Sequence, residues 1–487
     1  MRPYATLPGL FGDLMSVITL DGIQASNYKL FKWAIFGRDS LIVGLDLVPY
    51  YPALSARILI SLSRLQGEQA NSISEEEPGR IHHEYRNLII GGELIGPDQA
   101  AILHELAAKW GGTESELCYY GTVDATPQFV RLIAAHVRHH GPEVLATRIV
   151  RRDGTITTLA ESALSALAWL SHRIAASELG LLEFCRTNPR GHGYQGLRDG
   201  QTSYLHEDGS LANPDAPMAS IEVQGLAYDA LLDGAELFPD HANCPRWLDQ
   251  AATLRQTTLE QFWMPDRQSF AMALDRPAVG ALPRLVRTAT SLPAELLDTR
   301  LFDGLPESET QSYVSSIVGK MFSSEFITDV GLRMRGLKYA SLVPYWDYQG
   351  AKVSWAVNSN FFARGLRRQG LAPLAEEIED RILNGINKSR QCYEFWYVDT
   401  DGRVIYLPEM ASGQRAVAAT NMPERTQAWT VSAALRAVLA QASAPAAATG
   451  WRGKLVADIQ SQLDNPNRGS ISGIEAVKRL ETDIFDL

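Results

Sequence analysis

Cysteine is scarce in this chain. Among 487 residues there are four, Cys118, Cys185, Cys244 and Cys392, far apart and without CxxC spacing. They read as reduced, buried small residues, which excludes a disulfide framework and a thiolate metal site. No run of about eighteen apolar residues occurs, so no segment reads as membrane-spanning. The N-terminus, Met1-Arg2-Pro3-Tyr4, lacks a charged region followed by an apolar one, so no signal peptide is expected and the default compartment is the cytoplasm. A basic surplus is missing too. The formal charge is −11, and a nucleic-acid partner needs a basic face that the chain does not offer. A neutral ligand such as a sugar is indifferent to that charge. Walker loops, a strand-borne GxGxxG, a GxSxG elbow and HExxH spacing are absent, which leaves nucleotide-driven and serine-hydrolase chemistry without support.

What is present is helical periodicity. It predicts helices over roughly 39–50, 52–67, 98–110, 127–140, 158–178, 218–237, 246–263, 307–320, 352–369, 372–390, 426–441 and 451–464. Between them run long connections at 69–97, 111–126, 180–217, 265–305, 321–350 and 392–425. Their aromatic content marks them as functional loops rather than linkers. Periodicity alone gives an all-α protein. An α-solenoid would have a similar helix count, but no regular 34- or 40-residue repeat is found.

The connections and helix starts carry a set of motifs: Phe36-Gly37-Arg38-Asp39-Ser40, Glu75-Glu76-Glu77-Pro78-Gly79-Arg80-Ile81-His82-His83-Glu84-Tyr85-Arg86, Tyr119-Tyr120-Gly121-Thr122-Val123-Asp124-Ala125-Thr126-Pro127, Tyr194-Gln195-Gly196-Leu197-Arg198-Asp199, Ile221-Glu222-Val223-Gln224, Tyr393-Glu394-Phe395-Trp396 and Thr426-Gln427-Ala428-Trp429. In these residues, from about Trp33 to about Ala434, the chain resembles the catalytic domain of bacterial amylo-α-1,6-glucosidase or glycogen-debranching-type proteins. Those are similar in fold to the inverting glucosidases of the processing α-glucosidase and mannosylglycerate hydrolase group. The resemblance implies an (α/α)6 toroid barrel with long loops lining a funnel. The expected division is a lead segment 1–32, a barrel 33–442 and a helical closing segment 443–487. The extra β-rich domain that debranching-type relatives carry has no counterpart in the residues before Trp33, which counts against a large branched polysaccharide.

The resemblance also implies an inverting glycoside hydrolase acting on α-linked glucose or a related sugar, without a metal or organic cofactor. Such chemistry needs a carboxylic acid to protonate the leaving oxygen and a carboxylate to activate water, about 6.5–9.5 Å apart. Asp199 falls on the family's general acid, with Leu197 and Gly200 where the family has tryptophan and serine. Glu394 falls on the general base, with Glu409 as the runner-up. Arg38 and Asp39 match a pair at the pocket floor, where a guanidinium fork and a carboxylate could grip vicinal hydroxyls. Asp39 also suits a helix start on its own account. Glu77, His83, Glu84 and Arg86 read as a polar pocket wall rather than a metal site. Phe36, Tyr120, Asp124, Gln195, Arg198, Glu222, Gln224 and Gln427 match positions around the substrate, with packing and capping as their plainer use. Trp33, Trp346, Trp355, Trp396 and Trp429 lie close to the motifs and could stack on a sugar, although any single tryptophan is as readily core. Two alternatives stay open at this level: a hydrolase of a small glycoside such as glucosylglycerate, mannosylglycerate or sucrose, and a carbohydrate-binding barrel that has lost turnover.

Overall fold

The structure, a computed structural model, describes residues 4–90, 93–94, 97–344, 347–405, 422–442 and 447–464. Its helices are α1 (Leu7–Val17), α2 (Gly37–Leu47), α3 (Pro52–Arg64), α4 (Pro97–Trp110), α5 (Ala125–His140), α6 (Leu159–Ala176), α7 (Ile221–Leu237), α8 (Cys244–Phe262), α9 (Glu307–Met321), α10 (Ala356–Arg368), α11 (Ala372–Ser389), α12 (Ala428–Ala440) and α13 (Gly450–Leu463), with a 3-10 segment at Leu292–Asp298.

Packing sorts them into two rings. α2 lies against α5, α5 against α7, α7 against the 3-10 segment, that segment against α10, α10 against α12, and α12 back against α2. This closed inner ring is sheathed by α1, α3, α6, α8, α9 and α11, which makes the fold an (α/α)6 barrel, as expected. The two rings differ in sequence for a physical reason. An outer helix needs one apolar stripe, and α8 buries Trp247, Ala251, Leu254, Thr258 and Phe262 at intervals of three or four. An inner helix has neighbours all round; apart from Leu45, every residue of α2 is buried.

The composition of the rings departs from a simple pairing of the twelve expected helices. The segments expected at 98–110 and 451–464 form α4 and α13, yet both lie outside the rings, α13 resting on α9 and α11. Their places are taken by α1, which packs on α12 through Leu10, Leu14 and Val17, and by the 3-10 segment at the fourth inner position. Seven residues are too short to show a helical period, so that segment falls inside the connection 265–305. It is held close: a Cβ at Gly365 of α10 would stand 2.5 Å from Leu297 Cβ and 2.9 Å from its carbonyl carbon.

Three small antiparallel sheets crown one end of the barrel. Ala34–Phe36 pairs with Glu84–Asn87, which pairs in turn with Glu116–Tyr119. Ala219–Ser220 pairs with Ala273–Asp275, and Val353–Trp355 with Phe395–Val398. Each first-named strand runs directly into an inner helix, α2, α7 or α10. The strands thereby fix the helix starts, and all the inner N-termini face the same end.

Candidate active site

The inner N-termini carry the polar residues of that end. Going round the ring these are Arg38 and Asp39 on α2, Asp124 before α5, Glu222 on α7, Glu295 in the 3-10 segment, Asn358 on α10, and Gln427 before α12. A helix start tolerates a carboxylate because the macrodipole and the unpaired N–H groups are positive there. None of the six inner elements has a side-chain cap on its own first turn.

Arg38 is the hub. Its guanidinium donates from Nε to Asp124 Oδ2 at 2.6 Å and from Nη2 to Asp124 Oδ1 at 3.2 Å, Thr122 Oγ1 at 3.1 Å and the Gly196 carbonyl at 2.6 Å. Its Nη1 donates to Asp199 Oδ2 at 3.0 Å. Arg38 and Asp124 are sealed from solvent, whereas the Asp199 side chain is 23% exposed. The fork anticipated for vicinal hydroxyls is thus committed on every nitrogen to the protein itself.

Asp39 accepts a bond from Gln427 Nε2 at 2.9 Å, and burial, opposed by Arg38, pushes its carboxyl up to about 7. Glu394 is pushed up to about 8, first by burial and then by the charges of Glu424, Asp39 and Asp199. Glu424, whose own carboxyl burial raises to about 7, exchanges backbone contacts with Glu394: the Glu394 N–H donates to the Glu424 carbonyl at 3.0 Å, and the Glu424 N–H to Glu394 Oε2 at 3.3 Å. Further round the ring, burial raises Glu222 to about 7 and carries Glu295 well above the carboxylate range.

The neighbours of Asp199 and Glu394 in the chain pack on Tyr348: Gly200 lies against its hydroxyl, and Phe395 stacks on its ring at 6.3 Å. Burial raises the Tyr348 phenol, and the charges of Asp199 and Glu394 raise it further. The same ring explains Gly200: a Cβ there would stand 2.5 Å from the Tyr348 hydroxyl. Tyr348, Trp355 and Phe395 stack at 5.5–6.3 Å between centroids, and Trp429 tilts against Trp355 at 5.7 Å. These rings form an aromatic wall beside the two acids. Buried polar atoms without a partner among the described residues gather at the same end: Glu222 Oε2, Asn358 Oδ1, Gln427 Oε1 and the Trp429 indole nitrogen.

The other expected residues serve the frame. Arg198 is fully buried and donates to the carbonyls of Met334 at 2.6 Å and Gln349 at 2.7 Å, tying the Asp199 loop to two others. Gln195 donates to Glu75 Oε2 at 2.6 Å and accepts from Arg80 at 2.8 Å. Glu75 Oε1 also takes the backbone N–H groups of Thr187 and Asn188, so the Glu-Glu-Pro-Gly-Arg motif braces the loop leading to Asp199. Glu77 accepts from the Trp169 indole at 2.6 Å. Gln224 closes on the Leu182 backbone, and the Tyr120 hydroxyl donates to the Leu65 carbonyl at 2.8 Å. Glu84 pairs with Arg86, whose Nη2 donates to the Leu30 carbonyl at 2.6 Å. His83 sits edge-on to Phe36 at 5.2 Å and to His192 at 4.7 Å, and burial holds its imidazole well below its ordinary value. Trp33 packs on the cluster of Leu88, Leu103 and Trp110. Trp396, one residue from Phe395 on a strand, points the opposite way, with its indole nitrogen on Ser389 Oγ at 3.2 Å and its ring against Gly385 of α11. Leu197 joins the main core. Trp346 and Glu409 lie outside the described residues.

Sequence reasoning passed over Glu295, Asn358, Phe395 and Glu424 and gave Tyr348 no role. For Glu295 a signal existed: Ser291-Leu292-Pro293-Ala294-Glu295 places an N-cap residue, a proline and a first-turn acid at a helix start.

No family model matches the chain, and no curated protein matches it in sequence. Solved structures do match in shape. A GH63 mannosylglycerate hydrolase from Thermus thermophilus, in complex with Tris and D-glycerate, superposes with a TM-score of 0.56 at 13% identity, over 89% of this chain and 99% of that one. The same enzyme in complex with glucose gives 0.56 at 14%, over 88% and 98%. A wild-type glycosidase gives 0.51 at 10%, over 92% and 96%. The chain therefore has the six-hairpin (α/α)6 fold that these glycosidases share.

Proposed function

We propose that this protein is an inverting glycoside hydrolase that releases glucose or a related sugar from an α-glycosidic linkage, with Asp199 and Glu394 as its acid and base. The observation that carries the reading is that the loops bearing Asp199 and Glu394 both pack against Tyr348, through Gly200 and Phe395, beside an aromatic wall. Aromatic faces suit the apolar faces of a sugar ring, and the unpartnered polar atoms of the ring suit its hydroxyls. In the reaction the Asp199 proton passes to the glycosidic oxygen as the C–O bond breaks. Water adds to the anomeric carbon from the other side and gives its proton to Glu394, so the product carries the inverted anomer. A small glycoside is favoured as substrate by the likeness in shape to a mannosylglycerate hydrolase. The Gly200 departure also has a structural reason in Tyr348, which weighs against a barrel that has lost turnover.

A second assignment has specific support. Arg38 ion-pairs with Asp199, and Glu394 holds its proton up to about 8, the charge distribution of a site in which Glu394 donates and Asp199 receives. A panel of maltose, isomaltose, trehalose, sucrose, maltooligosaccharides and glucosylglycerate, followed by NMR for the product anomer, tests the activity. Glycosyl fluorides, whose leaving group needs no proton, separate the roles. If Asp199 is the donor, Asp199→Asn retains fluoride hydrolysis and Glu394→Gln loses it; the exchanged assignment reverses the pattern. A wild type that binds sugar and releases none, glycosyl fluorides included, overturns the hydrolase reading.

A further inference from the structure

The inference concerns Asp124 and rests on the reading of Asp199 as the proton donor. Arg38 serves two carboxylates unequally. Asp124 takes it through both oxygens, at 2.6 and 3.2 Å, from a position that is 1% exposed at the start of α5, and Thr122 Oγ1 donates to Asp124 Oδ1 at 2.6 Å to complete the clamp. Asp199 holds the same guanidinium through one bond of 3.0 Å, made by Oδ2 alone, at the more open end. A lone buried guanidinium beside a carboxylic acid would strip it of its proton, because an adjacent positive charge favours the anion. A guanidinium already neutralised by a bidentate partner exerts far less of that pull.

We infer that Asp124 is a positioning residue: by binding and neutralising Arg38 it leaves Asp199, held on the same guanidinium through one oxygen and partly exposed, free to serve as the proton donor of the proposed reaction. The other groups that face Asp199 are Asp39 from α2, Tyr348 from the loop before α10, and Glu394 from the loop before strand Phe395–Val398. All of these are acidic, and Arg38 is the cation that ion-pairs with Asp199. Asp124 touches no reacting atom in this scheme; it acts through Arg38.

Two substitutions of opposite sign test this. Asp124→Asn leaves Arg38 with Asp199 as its sole carboxylate, and the alkaline limb of kcat/KM on an O-glycoside moves to lower pH by roughly one to two units, while kcat falls more than KM changes. Arg38→Gln moves the same limb to higher pH. Neither shift is seen with a glycosyl fluoride, and Asp124→Glu restores the wild-type limb in part. A measurement without turnover runs alongside: in protein labelled with 13Cγ-aspartate, the Asp199 resonance is the one missing from Asp199→Asn, and its titration is followed in each variant. A midpoint that stays put or rises in Asp124→Asn overturns the inference, as does a downward move in Arg38→Gln. If one variant fails to fold, the other still decides. Absence of turnover in wild type counts against the hydrolase reading alone, and the resonance still reads the role of Asp124.

Discussion

About two turns along the inner helices from Asp39 and Glu222 lies a second polar layer, and the two layers are built from the same residue types to opposite ends. In the deeper one, Asp46 of α2 takes Asn360 Nδ2 at 2.9 Å, Ser432 Oγ at 2.7 Å and Arg364 at 3.2 Å. Arg364 also reaches Asp298 at 2.7 Å, Arg131 joins Asp229 at 3.1 Å, and Glu379 is held by Arg367 at 2.7 Å and Arg436 at 3.0 Å. Each of these four carboxylates touches a guanidinium. In the layer at the helix starts, Arg38 is shared between Asp124 and Asp199, while Asp39, Glu222, Glu295 and Glu394 have no ion-pair partner among the described residues. Paired charges plug the barrel; the carboxyls at the helix starts, raised by burial, have no ion-paired cation among the described residues. The difference teaches that buried acid alone does not distinguish the two layers; the accompanying cations do.

The comparison is broken most severely at the proposed catalytic pair. Glu394→Gln and Asp199→Asn should each lower turnover of an O-glycoside by roughly 10²–10⁴-fold, read by product release, while Glu394→Gln should not lower the melting temperature at neutral pH. The deeper layer should respond the other way. Arg364→Met, by leaving the buried Asp46 without a cation, should cost about 3–5 kcal/mol of stability in chemical denaturation, before any effect on KM.

The charge imbalance itself predicts a pH dependence. Asp39, Glu222, Glu424 and Glu394 lie at about 7, 7, 7 and 8 in the folded protein, against 3.8 for an ordinary aspartate and 4.5 for a glutamate. The folded state therefore binds more protons than the unfolded chain, and stability falls as pH rises from about 4 through 8. The melting temperature should drop across that window, and Glu394→Gln should flatten the slope; a curve that rises from pH 5 to 8 would contradict this origin. The alkaline or acidic position of the activity limb near pH 8 sharpens the role assignment: kcat/KM rises toward about 8 if Glu394 is the base and falls above it if Glu394 is the acid.

The smallest effect expected is at Gly200. Gly200→Ser overpacks Tyr348 and should cost about 1–3 kcal/mol in combined stability and binding. Tyr348→Ala should relieve part of that cost when added to it, which a double-mutant cycle detects as non-additivity.

Residue pattern determined a great deal. Each helix expected from periodicity is present within a few residues of its bounds, and the motifs at Arg38, Asp124, Asp199, Glu222, Glu394 and Gln427 do come together at one end of the barrel. The reason is local: helix starts, turns and apolar stripes are set by neighbouring residues, and α2, α5, α7 and α12 each begin with a motif. What the tertiary structure alone decided is which partners those residues meet. Arg38 looked like a sugar fork and is consumed by Asp124 and Asp199; Arg198 and Gln224 looked like pocket residues and tie loops; α1 and a seven-residue 3-10 segment complete the rings that α4 and α13 do not enter. Electrostatic pairing and ring closure join residues hundreds of positions apart, and no periodicity in the chain records those distances.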